Sequence, residues 1–505
     1  MNRRDFLKHS GCAAMGATTL LSTLTSLGAV NGAMGHKKFP VNGAVAEDYK
    51  ALVCILLAGG VDSYNVLIPT GTNGGGDNGY NEYAATRADL SIANASLLAL
   101  NNPQCTGFRS FPCNYGAYGL HPSLPGMRDL FNSGKLAFMA NVGTLIEPIL
   151  NESEYRTKAK KIPEGVYSHS DQIMQWQTSV PQSRTALGVG GRLADLLNPG
   201  NLNQQVSMNI SLSGKNVFQT GESIAEYSIS NNVSPGNIGF DMLPSGWFSS
   251  GLMTELRNSA IDSLVGQTYA NLLQQTYAGT AKGAIATFDI FKEALKKVPN
   301  IATVFPTTSL GNDLAAIAKV ISVRSNLGAK RQIFFVTYGG WDMHDNLAGG
   351  MNQKLPVVDS AIKAFYDSTV ELGIADKVTT FTISDFGRTI TSNGLGSDHA
   401  WGGNSMVIGG SVKGGKIYGA YPKMNLNSNT QNVSVRGNFI PAVSTDELYA
   451  EIALWYGVSP SDLCYVLPNI GNFYSYTPGN YPVGFMNFNG TTISNVDRPQ
   501  SCLIY

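Results

Sequence analysis

Two apolar, β-rich runs in the last third of the chain constrain its fold more than anything else. Gln332–Tyr338 leads through a Gly-Gly pair to Asp342 and His344, and Val378–Ser384 runs straight into Asp385. A helical pattern over Pro356–Leu372 separates them, and a glycine-rich loop then carries Asp398–His399. A third apolar run, Ala51–Leu57, stops at Gly59-Gly60 with Asp62 just beyond. A fully apolar run bounded by glycines reads as a strand buried on both faces of a parallel sheet. A sheet that delivers acids and imidazoles from several strand ends has the usual geometry of a catalytic or metal site.

The rest of the chain is read around that sheet. Leu136–Val142 and Val206–Leu212 are expected strands. Ahead of the first, LPGMRDLFNSGKL places Leu124, Met127, Leu130 and Phe131 at helical spacing. In PEGVYSHSDQIMQWQTS, Ser168 or Ser170 is placed to cap a helix. Further helical patterns fall at 188–197, 255–276, 280–297 and 310–326, and DELYAEIALWY (446–456) is the last. Residues 70–118 show few periodic signals and are expected to run over the surface. No repeat or flexible linker interrupts the chain. Residues 36–505 are therefore expected to form a single α/β domain, with a helical insert at about 255–326 and a turn-rich wrap at about 457–505.

Lys and Arg total 35, as do Asp and Glu, so the net charge is zero. Nothing in that balance suits a nucleic acid or an anionic membrane. Aromatic residues at 10% are too many for a disordered chain. The first 35 residues are set apart from the fold. Arg3-Arg4 and Phe6-Leu7, followed by a mildly apolar run from Cys12 to Val30, look like a twin-arginine export signal. The expected partner is the twin-arginine translocation machinery, the expected location periplasmic or extracellular, and no stable membrane span remains after signal removal. Of the later cysteines, Cys105 with Cys113 and Cys464 with Cys502 are candidate disulfides for an oxidising compartment, and Cys54 reads as a buried thiol.

Four of the five histidines after the leader lie beside motif-like segments: His121, His169, His344 and His399. With Asp62, Asp342 and Asp385 they offer a donor set suited to Zn²⁺, Mn²⁺ or a mixed pair of divalent ions. Asp342 and His344, two apart in a strand-like segment, are expected on one face. Arg388 is placed to pair with a site carboxylate or a substrate oxyanion. Ordinary roles stay open for each residue: a turn for Asp62, caps or turns for Asp385 and Asp398, hydrogen-bonded structural histidines for His344 and His399, and a plain helix cap for Ser168.

The segments GGVDSYNVLIP, YSHSDQIMQWQT, GGWDMHDN, SDFGRTITSNGLGSDHAWGGNSMVIGG and STDELYAEIALWYG resemble the DUF1501 family, exported bacterial proteins placed near the alkaline phosphatase/sulfatase superfamily. The resemblance spans about residues 50–460. It implies an alkaline-phosphatase-like sandwich: α/β, with a mostly parallel central sheet, helices on both faces and loop-rich insertions. It also implies one or two divalent ions, zinc or manganese. One would be held by Asp342, His344 and His399. The second would be held by Asp62 and Asp385, with Ser168 as nucleophile and His169 or Arg388 on the transferred group. The family pattern's His directly after the second-site Asp is here Phe386. The function so implied is an exported metal-dependent hydrolase of phosphate or sulfate esters acting on a small anionic ester. The alternative is a non-catalytic binding or assembly protein of the periplasm or cell surface. Convergence of Asp342, His344 and His399 within ligand range is the feature that separates the two.

Overall fold

The computed structural model describes residues 48–71, 79–105, 107–224, 226–229, 231, 263, 267, 287 and 289–488. The leader, most of the expected helices at 255–276 and 280–297, and Cys502 lie outside the described residues.

A ten-stranded sheet runs through the centre. Its strands are β1 (Lys50–Leu57), β4 (Gln104–Cys105), β6 (Leu136–Gly143), β7 (Asn209–Ser211), β8 (Tyr227–Ser228), β9 (Arg331–Thr337), β10 (Val378–Ser384), β11 (Gly403–Gly409), β12 (Lys416–Gly419) and β13 (Val443–Ser444). The spatial order is β4-β12-β6-β11-β10-β1-β9-β7-β8, with β13 also paired to β6. Only β11 runs against its neighbours, antiparallel to both β10 and β6; every other pairing is parallel. The expected α/β class with a mostly parallel central sheet is what forms.

Strand periodicity explains why the run Ala51–Leu57 in β1 is apolar throughout. Along β1, Ala51, Val53, Ile55 and Leu57 face one core, while Leu52, Cys54 and Leu56 face the other. A two-residue period with both faces covered leaves no solvent-facing position along the run. The first core is closed by helices Pro125–Asn132, Ser309–Ser322 and Leu347–Glu371. The second is closed by Val189–Leu197 and Thr445–Tyr456. All twelve residues of the latter helix are buried, and Ser444 and Glu447 close its N-terminus as a capping box. Helices thus cover both faces, as expected.

Two expectations need correction. The helix expected at Pro356 begins at Leu347 and carries Pro356 inside it. Pro356 and Asn352, whose carbonyl the proline leaves unpaired, are both exposed, so water can serve that carbonyl. The 70–118 excursion also holds more structure than its weak periodicity suggested. Strands β2 (Leu67–Gly71), β3 (Leu98–Ala99) and β5 (Ala117–Leu120) form a small sheet beside helix Gly79–Arg87. Tyr64, Tyr115, Tyr118 and Tyr421 pack there edge to face with centroids 5.2–6.4 Å apart.

Cys105 and Cys113 form a disulfide, Cys464 is also disulfide-bonded, and Cys54 is a buried free thiol. Among the described residues no helix is long and apolar enough to cross a membrane.

Candidate metal centre

The topology concentrates chemistry at one sheet edge. Strands β1, β9 and β10 are adjacent and parallel, so their C-terminal ends lie together. Antiparallel β11 starts where they finish, which brings Asp398–His399 to the same edge. Gly59 and Gly60, at φ +118° and +79°, make the turn out of β1. A Cβ on Gly59 would lie 2.5 Å from the backbone nitrogen of Asp342, and one on Gly60 2.4 Å from the Phe386 ring, so only glycine lets the three loops close up. The helix His169–Thr178, capped by Ser168, supplies the fourth element.

Asp342 is the hub. It follows β9 in a loop rather than in the strand, which ends at Thr337, so the strand-face argument for Asp342 and His344 does not apply. Loop geometry brings them together all the same. Asp342 Oδ1 lies 3.1 Å from His344 Nε2 and 3.4 Å from both His169 Nε2 and His399 Nε2. The Nε2 atoms of His344 and His399 are 2.9 Å apart. Ligand atoms of His169, Asp342 and His399 all lie within 4.8 Å of one another.

The outer nitrogens fix the tautomers. His399 Nδ1 is 2.8 Å from the Tyr167 carbonyl oxygen, which has no proton to give, so Nδ1 donates. His344 Nδ1 faces Asp398 Oδ1 at 2.9 Å and His169 Nδ1 faces Asp385 Oδ2 at 2.7 Å, so both donate to carboxylates. Each imidazole in its neutral form therefore turns an Nε2 lone pair toward Asp342. This is the arrangement of metal-ligating histidines, with the outer N–H held by a carboxylate or carbonyl. His169 Nε2 is buried and makes no hydrogen bond. Three lone pairs and a carboxylate oxygen aimed at one point repel one another unless a cation joins them, so the residues present fit a divalent ion.

The surrounding electrostatics agree. Arg388 is fully buried and donates to the carbonyls of Gly59, Gly60, Trp341 and Ser397 and to Asp342 Oδ1 at 2.6 Å. Burial works to raise the Asp342 carboxyl, but the Arg388 bond and charge, with His169 and His344, hold it below the usual range. Burial likewise opposes ionisation of Asp398, outweighed by hydrogen bonds from Asn393 and His344 and the charge of Arg436. The imidazole of His399 is pushed down, first by burial and then by the neighbouring His169, Arg388 and His344.

The sequence candidates divide. Asp342, His344, His399, His169, Asp385 and Arg388 come together. In this arrangement Asp385 accepts from His169 and from the Gly59 N–H at 3.0 Å, behind the imidazole rather than beside Asp342. Arg388 faces a site carboxylate; buried among carbonyls, it does not front a substrate, which corrects the oxyanion role. Asp62 is buried and ion-paired through Oδ2 to the fully buried Arg87, and its Oδ1 is buried without a hydrogen-bond partner. The Ser168 hydroxyl serves as the cap, 3.5 Å from the Asp171 N–H and 3.1 Å from Ser170 Oγ. His121 stands apart: its Nδ1 accepts from Ser123 N–H, and burial pushes it down to about 4.

Sequence reasoning missed two contributors. Arg436, paired with Asp398, has no local signal at all. Tyr167, whose carbonyl orients His399, sits at φ +76°, a conformation costly for a non-glycine residue. Its only hint is its position beside the Ser168–His169 cap.

The DUF1501 resemblance is borne out over residues 263–445, which match the model of that family, described as a protein of unknown function. The matched span contains Asp342, His344, Asp385, Arg388 and His399 but neither Asp62 nor His169. No curated protein matches. Solved structures similar to the chain include Ps i-CgsB in complex with k-i-k-neocarrahexaose, at 11% identity and TM-score 0.33 over 81% of this chain and 72% of that one. The lipoteichoic acid synthase LtaP from Listeria monocytogenes is 9% identical over 81% and 78%, with TM-score 0.28. The PsFucS1 sulfatase from Pseudoalteromonas sp. is 13% identical over 75% and 66%, with TM-score 0.23. Likenesses this distant carry no argument about the site, which stands on its own geometry.

Proposed function

Starting from a chain whose residues 263–445 match DUF1501, we propose an exported, divalent-metal-dependent hydrolase of phosphate or sulfate esters. The observation that carries this reading is the convergence of three imidazole Nε2 atoms on Asp342 Oδ1. His169, His344, His399 and Asp342 would hold the ion. When bound, it would supply Lewis-acid polarisation of a phosphoryl or sulfuryl oxygen.

The chain's own residues do the rest. Asp385, Asp398 and the Tyr167 carbonyl hold the Nδ1 protons and so keep the Nε2 lone pairs free. Arg388 fixes Asp342 and ties the β1, β9 and β10 loops into one rigid edge. Three carboxylates (Asp342, Asp385, Asp398) face two guanidiniums (Arg388, Arg436), leaving one negative charge uncompensated. One divalent ion reverses that sign and makes the edge attractive to an anionic ester. Ser168, one residue from His169, is the hydroxyl we propose for attack, after release from its cap.

Export by the twin-arginine route accords with the Arg3-Arg4 leader, and the Cys105–Cys113 disulfide accords with an oxidising compartment. The convergence of Asp342, His344 and His399 favours this reading over a pure binding or assembly role. Elemental mass spectrometry on natively exported protein tests it, together with hydrolysis of aryl phosphate and sulfate esters. Bound zinc or manganese, lost in Asp342→Ala and His399→Ala along with ester hydrolysis, is the expected result. Unchanged metal content in those variants would sink the site assignment.

A further inference from the structure

The carboxylates that a two-ion site would need are already engaged by other groups of the chain. Asp62 is 2% exposed and paired to Arg87, which is fully buried and also donates to the carbonyls of Thr389 and Ile390 at 3.2 and 3.1 Å. Asp385 spends one oxygen on His169 Nδ1 and the other on the Gly59 N–H. The residue after it, where a further imidazole would help, is Phe386, whose ring packs 4.7 Å from the His169 ring and 4.6 Å from that of His399. Asp62 Oδ1 is buried without a hydrogen-bond partner, but a single free oxygen is too few donors to hold a second ion.

The remaining donors are spaced for a single small ion. Two ligand atoms on a tetrahedral ion with bonds of about 2.05 Å lie about 3.3 Å apart. Four of the six separations among these donors are 2.9 Å (His344 to His399), 3.1 Å (His344 to Asp342) and 3.4 Å (His169 and His399, each to Asp342). They bracket that edge length. Octahedral magnesium and calcium prefer oxygen donors and more of them.

We infer that the centre takes one divalent ion on His169, His344, His399 and Asp342, and that buried guanidiniums, Arg87 on Asp62 and Arg388 on Asp342, stand where a second ion would otherwise supply positive charge. His169 is then a ligand rather than a group that binds the transferred phosphate or sulfate. Asp385 is a positioning residue acting through it. The inference rests on the hydrolase reading only for its choice of site, because ion number and ligand identity are measurable without any substrate.

The test is a cobalt titration of the full mature chain after chelator treatment, followed by visible absorption and by equilibrium dialysis with elemental analysis. One equivalent is expected, with the intense visible bands of a low-coordinate nitrogen/oxygen site. His169→Ala should lose those bands and weaken binding by at least 100-fold. The double variant Asp62→Asn/Arg87→Gln removes the buried pair without stranding a charge. It should still bind one equivalent with the same spectrum. Two equivalents in the parent chain, loss of one in the double variant, or an unchanged spectrum in His169→Ala would each overturn the inference, as would no bound cobalt. One equivalent without ester hydrolysis would leave the inference standing and remove the hydrolase reading. Two equivalents with hydrolysis would do the reverse.

Discussion

At the scale of single residues, the centre is organised by what lies behind each imidazole. Asp385 can only accept, so it holds the His169 proton on Nδ1 and directs the lone pair inward. In Asp385→Asn the amide can present either end, and the preference for one tautomer is lost. Metal affinity should fall about 10- to 100-fold, read by competition with a chromophoric chelator, while the chelator-treated protein stays folded. The Asp62–Arg87 pair makes the opposite kind of prediction. Because both groups are buried, Arg87→Met should destabilise the fold by about 3–5 kcal/mol in denaturant unfolding, and adding Asp62→Asn should recover much of that loss. Equal stability of the single and double variants would show that the pair is not energetically coupled.

At the scale of elements, most strands were legible and much of the site was not, for different physical reasons. β1, β9 and β10 carry apolar residues on both faces because both are covered, and such runs stand out in any sequence. The start of helix Leu347–Glu371 was hidden because Pro356 normally marks a helix start, and here solvent tolerates it in the interior. His169 was recognised as a site residue, but its partner Asp385 is 216 residues away and their pairing depends on how a helix N-terminus docks on a sheet edge. Arg436 and the Tyr167 carbonyl are likewise set by tertiary contact alone. Ser168 was readable as a cap and is one. Ser168→Ala should cost about 1 kcal/mol in unfolding free energy with metal content unchanged. Ester hydrolysis should fall far more steeply if its hydroxyl attacks; a rate within twofold of the parent would restrict Ser168 to capping.

At the scale of the whole molecule, two groups link stability to the medium. Asp446 is buried in the helix Thr445–Tyr456, and burial pushes its carboxyl up to about 8 despite a hydrogen bond from Ser179 and the nearby Arg192 charge. The folded state thus holds a proton that the unfolded chain releases near pH 4. This contribution is fully present below about pH 4 and is lost as pH rises through about 8. Asp446→Asn should therefore narrow the gap in Tm between pH 5 and pH 9. The second link is the ion. Its ligands come from helix His169–Thr178 and from the loops after β9 and before β11, so binding joins segments that are distant in sequence. An ion bound only by the folded state adds RT ln(1 + [L]/Kd), about 2.7 kcal/mol at one hundred times Kd. Chelation should lower Tm and zinc should restore it. His399→Ala, which no longer holds the ion, should unfold at nearly the same temperature with or without it.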